Sequence, residues 1–129
     1  MVRMPSHRPT NPQLEHGPIF SWYRDHNGLI FTSGHASVEV DSLNITLGDL
    51  ASETTATLNN LRRTLERAGS QLDNVLKVTA YITDMNQFAV FNAVYAKFFP
   101  GPRVPARTCV EVSRLPFNFK VEIEAVAHI

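Results

Sequence analysis

Apolar residues recur at helical spacing along one stretch of this chain and alternate one by one along others, so both helices and strands are expected. Leu50, Leu58, Leu61, Leu65 and Ala68 fall on one face of a helix that Asp49 can cap and that Gly69 can end in a left-handed conformation. A second helix is predicted after Asp84, with Phe88, Phe91, Tyr95 and Phe98 on one stripe and Pro100-Gly101-Pro102 as its stop. Short β-prone runs, Ile19–Tyr23 and Leu29–Ser33, flank an Asn27-Gly28 pair that signals a hairpin turn. Val75–Ile82, Arg107–Ser113 and Lys120–Ala127 supply three further strands. The predicted order is ββαβαββ, an α+β domain with two helices covering one face of a mixed sheet. Residues 1–16 are rich in proline and polar residues without periodicity and read as a loose N-terminal arm.

Composition narrows the class. The chain has 129 residues, 43% of them hydrophobic, which suits one compact domain with a real core. Twelve basic residues balance twelve acidic ones, so the surplus of positive charge that accompanies phosphate-backbone binding is missing, and nucleic acid is not the expected partner. Arg62, Arg63 and Arg67 form a basic stripe, but Glu53 and Glu66 interrupt it as on an ordinary solvated helix face. A lone cysteine makes no intrachain disulfide, the N-terminus lacks an apolar signal core, and no apolar run spans a membrane, so a soluble cytoplasmic protein is expected. His7, His16, His26 and His35 show no metal-ligand spacing, and no metal site is predicted.

Candidate chemistry concentrates in Pro105-Ala106-Arg107-Thr108-Cys109-Val110-Glu111-Val112. On a strand, Arg107, Cys109 and Glu111 share one face, and Thr108, Val110 and Val112 the other, where two valines suit a core. In the last strand Val121, Ile123 and Ala125 alternate with Lys120, Glu122 and Glu124, so the charged faces of the two strands are expected to coincide. Such a face either is solvated or lies in a subunit interface, where paired charges line pockets.

This motif, followed by Arg114-Leu115-Pro116 and Lys120-Val121-Glu122-Ile123-Glu124-Ala125, resembles the signature of the RidA (YjgF) family of enamine/imine deaminases. Thr32-Ser33-Gly34, Ala68-Gly69, Val78-Thr79, Tyr81, Asp84-Met85-Asn86 and Phe91-Asn92-Ala93-Val94-Tyr95 extend the likeness from about Gly17 to the C-terminus. The resemblance implies a chorismate-mutase-like domain assembled as a homotrimer with sites between subunits. It also implies hydrolysis of 2-aminoacrylate-type enamines and 2-imino acids to 2-keto acids and ammonia, without a cofactor. A rigid guanidinium fork can take a planar carboxylate through two charge-assisted hydrogen bonds, which suits Arg107 to hold an imino acid. An ordinary strand arginine would instead pair with Glu122 or Glu124. Water attack and ammonia departure need a proton acceptor and a donor, and one carboxyl can serve both. The family position of that carboxyl is Glu122, although Glu111 and Glu124 are chemically equivalent neighbours. By resemblance, Cys109 lines the pocket, without a histidine that would make it a nucleophile, and Ser33, Gly34 and Asn92 contribute hydrogen bonds or close backbone approach.

The chain departs from the family pattern where a tyrosine follows a Gly-Pro pair. Gly17-Pro18 leads here to Ile19 and Phe20, which bring no hydroxyl, and Tyr23 is the candidate replacement. Phe117 and Phe119 also stand where more polar residues are common, which would suit a longer or more apolar substrate. Acids of the 3-aminoacrylate or 2-aminomuconate kind stay open as substrates. So do two other classes: a non-catalytic trimeric binder of small carboxylates, and a ribonuclease or translation inhibitor.

Overall fold

The computed structural model describes residues 19–129; the predicted arm and the Gly17-Pro18 pair lie outside them. Five strands form one sheet, β1 (Tyr23–His26), β2 (Leu29–Thr32), β3 (Val75–Ile82), β4 (Ala106–Glu111) and β5 (Val121–His128), in the order β1-β2-β5-β3-β4. Only β3 and β4 run parallel, joined through helix α2 (Phe88–Phe98); the other pairs are antiparallel. Helix α1 (Leu50–Arg67) and α2 cover one face, as an α+β layer arrangement requires.

Local signals account for most boundaries. Asp49 accepts the N–H of Ser52 at 2.8 Å and caps α1. At the other end Gly69 has φ +88°, Ser70 N–H reaches Leu65 O at 2.8 Å, and Gly69 N–H reaches Glu66 O at 3.1 Å, which is a Schellman stop. Asp84 caps a short 3₁₀ turn, Met85–Gln87, and α2 follows directly. Asn27 and Gly28, at φ 51° and 80°, make the two-residue hairpin turn.

That turn corrects the expected first strand. With two loop residues, His26 must face Leu29, so β1 occupies Tyr23–His26 rather than Ile19–Tyr23. Arg24, Asp25 and His26 lack apolar alternation because β1 is an exposed sheet edge, where charge discourages pairing with other chains. The expected stripe of α2 also shifts at its end: Phe99, beyond the last helical turn, is buried, whereas Phe98 is only partly so.

The core lies between sheet and helices. Val78, Ala80, Ile82, Val121, Ile123 and Ala127 from the sheet meet Leu58, Leu61, Leu65 and Phe91 from the helices, all fully buried. The long connection from Ser33 to Asp49 is held down by polar side chains: Asn60 Nδ2 donates to Ala36 O and Val38 O at 3.0 and 2.9 Å, and Trp22 Nε1 donates to Val40 O at 3.2 Å. Buried Glu53 accepts N–H groups from Gly48 and Lys120 at 2.9 and 2.8 Å, tying the start of α1 to the start of β5.

Between Phe31↔Val126 and His35↔Ile123, strand β2 and its continuation carry three residues against two on β5. This extra residue is a β-bulge, and Thr32 Oγ1 fills the gap in the ladder by accepting Ala125 N–H at 3.0 Å. His35, just past the bulge, is a core residue and no ligand. Its Nδ1 donates to Ser33 O at 2.8 Å and its Nε2 accepts from the Thr64 hydroxyl at 2.7 Å, so the ring is held neutral. Burial pushes its pKa from 6.5 down to about 4, against the opposing pull of the Ser33 carbonyl.

The unfolded chain therefore takes up a proton on His35 before the folded chain does. Stability is complete above about pH 6.5 and falls as the pH drops toward 4, by on the order of 3 kcal/mol from this residue. Urea titrations of the native protein and of His35→Gln across pH 7 to 4 should show the extra loss in the native chain alone.

Candidate active site in two halves

The sequence-predicted site residues fall into two groups on opposite faces of the sheet. Arg107 pairs in register with Val78 and Cys109 with Ala80, both fully buried beneath the helices, so Arg107 and Cys109 belong to the helix side. Glu122 and Glu124 alternate with buried Val121, Ile123 and Ala125 and emerge on the other side. The expectation that the two charged faces coincide is thus overturned. Val110 corrects in the same sense: it is 38% exposed, because β4 is the edge strand and its valine face looks away from the helices.

On the helix side, Arg107 is held by α2. Its Nη1 donates to Asn92 Oδ1 at 2.8 Å, and its guanidinium carbon sits 4.8 Å from the Tyr95 ring centre and 5.6 Å from those of Phe88 and Phe91. Asn92 at one helical turn from Phe88, with Phe91 and Tyr95 beside it, follows from the periodicity of α2. The stripe of Phe88, Phe91 and Tyr95 expected on α2 has a second task that its periodicity does not reveal, surrounding the cation. Among the described residues no carboxylate lies within ion-pair distance of Arg107, which removes the ordinary pairing with Glu122 or Glu124. Burial pushes the Tyr95 hydroxyl up to about 12, against the lowering influence of Arg107, so it stays protonated. Burial also raises the Cys109 thiol, again opposed by Arg107, which leaves a neutral lining residue rather than a nucleophile.

On the other side, a cavity of 340 Å³ is lined by Phe20, Ser33, Gly34, Ala36, Pro116, Phe117, Phe119 and Glu122. The bulge brings the backbone of Ser33 and Gly34 against Glu122. A Cβ on Gly34 would overlap Oε2 of Glu122 and stand 2.7 Å from its carboxyl carbon, so any side chain there would push the Glu122 carboxyl out of its present position. Ser33 donates its hydroxyl hydrogen to Ser21 O and keeps only acceptor capacity toward the cavity. Tyr23 does not replace the missing tyrosine: it is buried in the core cluster, and Phe20 lines the cavity instead.

The three neighbouring carboxylates are no longer equivalent. Glu111 accepts Met85 N–H at 2.7 Å and Glu124 accepts the Tyr81 hydroxyl at 3.3 Å, while Glu122 makes no hydrogen bond among the described residues and faces the cavity. Burial, and secondarily the charge of Glu124, raise the pKa of Glu122 above the usual carboxylate range. Among the described residues no three His, Cys, Asp or Glu side chains converge as a metal site would need.

The family model described as Endoribonuclease L-PSP matches residues 15–129. The chain belongs to the RidA (YjgF) family. It is 44% identical over 100 residues to the RutC family protein PH0854 of Pyrococcus horikoshii, covering 78% of this chain and 79% of that one. It is 38% identical over 105 residues to the 2-iminobutanoate/2-iminopropanoate deaminase of Escherichia coli, covering 80% and 81%. E. coli TdcF with bound serine superposes with a TM-score of 0.79 at 32% identity, covering 100% of this chain and 95% of that one. The chorismate-mutase-like fold expected for a RidA member is the one observed, and no helix among the described residues is long and apolar enough to cross a membrane.

In a carboxyl ¹³C titration Glu122 should titrate above the usual carboxylate range. Glu124→Gln should lower the Glu122 midpoint only part of the way to a free glutamate, because burial is the larger cause.

Proposed function

We propose that this RidA member is a 2-imino acid deaminase whose site forms between two subunits. The observation that carries the reading is Arg107, a half-buried cation held by an amide and three rings and left without a carboxylate partner among the described residues. A planar carboxylate can take the in-plane donors of its fork that Asn92 does not use. The name of the E. coli relative, and the amino acid bound to E. coli TdcF, support a ligand of this class.

One chain cannot complete the reaction. Arg107 and Glu122 face away from each other across the sheet, so a ligand of a few atoms reaches both only if a second copy brings its Arg107 to this copy's Glu122 cavity. Contacts of that kind are head-to-tail and close into a ring, which fits the homotrimer implied by the sequence resemblance. In the assembled site Arg107 orients the imino acid, Glu122 takes a proton from water as the oxygen adds to the imine carbon, and the protonated carboxyl returns it to nitrogen. The carbinolamine so formed gives its hydroxyl proton to Glu122, which passes it to the amine as the C–N bond breaks, so ammonia leaves and the 2-keto acid remains. The raised pKa of Glu122 suits this shuttle, since it makes the carboxylate a stronger base toward water than an ordinary glutamate while the carboxyl can still release the proton to nitrogen. No cofactor takes part in this scheme.

The ribonuclease reading is less well supported. On the basic stripe of α1, Arg67 forms a two-pronged pair with Asp41, the shorter contact 2.5 Å, and Arg62 donates to Asn59, so two of the three arginines already have partners. A cytoplasmic setting, where amino-acid breakdown releases such imines, is part of the proposal.

Arg107→Ala should lower kcat/KM on 2-iminobutanoate by at least about a hundredfold with the fold intact, and Arg107→Lys should not restore it. Glu122→Gln should cost kcat about 10² to 10⁴. Mixed in equal amounts, unfolded and refolded together, the two inactive variants should regain about a quarter of native activity, since that fraction of shared sites receives both intact groups. Failure to regain any, with mixed oligomers demonstrated by mass spectrometry, would place both groups in one subunit.

A further inference from the structure

We infer that the cavity beside Glu122 selects 2-imino acids carrying apolar side chains of about four carbons or more, over the smallest members of the class and over acidic ones. The inference rests on the deaminase reading: with the substrate carboxylate on Arg107 and the imine carbon beside Glu122, the remaining substituent has only the rest of the 340 Å³ cavity to enter.

That remainder is apolar. Phe20, Ala36, Pro116, Phe117 and Phe119 form it, and Ser33, the lining side chain besides Glu122 able to donate a hydrogen bond, gives its hydrogen to the Ser21 carbonyl. A polar substituent would lose water there and find few partners among the lining side chains, and an acidic one would also meet the charge of Glu122. The ring of Phe117 is placed at a backbone cost. Phe117 and Asn118 are consecutive non-glycine residues at φ 57° and 62°, a left-handed conformation that L-residues adopt only under constraint. The turn is closed by Phe119 N–H on Pro116 O at 3.1 Å, and it sets Phe117 edge-on to Phe119 with ring centres 5.8 Å apart. Phe117 is nevertheless only half-buried, so its exposed apolar surface gains little from the protein's own core and is free to cover a substrate.

A competing arrangement lies next door. Arg114 and Asn118 line a second hollow of 360 Å³ that shares Pro116 and Phe117 with the first. A substrate with a distal carboxylate would be drawn toward Arg114, but it would have to pass the wall these two residues form.

The test uses the native protein with an L-amino-acid oxidase and catalase to release imines from L-alanine, L-leucine, L-phenylalanine and L-glutamate, with semicarbazide as the competing trap. Each buried methylene is worth about fourfold, so with its three extra carbons the leucine-derived imine should be consumed at least about tenfold, and up to about sixtyfold, more efficiently than the alanine-derived one. The glutamate-derived imine should be the poorest. Phe117→Asn keeps a residue that tolerates the left-handed backbone and removes the ring; it should shrink the leucine-to-alanine ratio about tenfold. Equal rates, a preference for the alanine- or glutamate-derived imine, or a ratio unchanged by Phe117→Asn would overturn the specificity while leaving the deaminase reading standing. No imine consumed at all would overturn both.

Discussion

Because side chains alternate along a strand, burying Val121, Ile123, Ala125 and Ala127 beneath the helices forces Glu122 and Glu124 through to the uncovered side of the sheet. The same rule acts on β4 through its parallel register with β3. Arg107 and Cys109 sit beside buried Val78 and Ala80, and so the cation goes to the side from which Glu122 is excluded. Neither placement can be changed without moving the core, since a one-residue slip of either strand would exchange its buried and exposed residues. The division of the chemistry between two faces therefore follows from the same burial that holds the sheet together. It is also what makes a second copy necessary under the proposed function.

Much of this molecule could be read from its sequence, and the readable parts share a cause. Asp49, Gly69 and the Asn27-Gly28 pair act within a few residues of themselves, so local chemistry decides them whatever the rest of the chain does. The family resemblance, in its matches and its departures, likewise marked out residues that fall into two neighbourhoods: Arg107, Asn92 and Cys109 in one, and Phe20, Ser33, Gly34, Phe117 and Glu122 in the other. What could not be read was the relation between strands. Alternation tells which residues of one strand share a face, but not which face of the neighbour they join. Val110 was misleading because an edge strand can leave an apolar residue uncovered. The bulge after Thr32 was equally hidden, since it depends on a pairing 93 positions away in the chain, Thr32 with Ala125.

An inserted residue bends the strand and re-aims the side chains beyond it, and here it sets the backbone of Gly34 directly against the Glu122 carboxyl. Close backbone contact displaces water from one side of that group while Phe119 and Ala36 help enclose the cavity on others. Desolvation of this kind is the first cause of the raised Glu122 pKa, ahead of the charge of Glu124. A close approach that leaves the Glu122 carboxyl in place only when residue 34 is glycine, and an electrostatic effect on that carboxyl, thus come from one irregularity in the sheet.

The surroundings of Arg107 solve a different problem. A half-buried cation needs compensation, and the usual means, a carboxylate, would occupy the same in-plane donors that a carboxylate ligand requires. Aromatic rings compensate through their π faces instead, and the three around Arg107, with ring centres 4.8 to 5.6 Å away, stabilise the charge without competing for the fork. Asn92 takes one nitrogen and, being neutral, orients the group without cancelling its charge. A carboxylate in place of Asn92 would hold the guanidinium more tightly in the free protein and weaken its attraction for an anionic ligand. The neutral amide and the rings leave a cation that is positioned yet still unneutralised, which is the electrostatic condition for gripping a small acid from water.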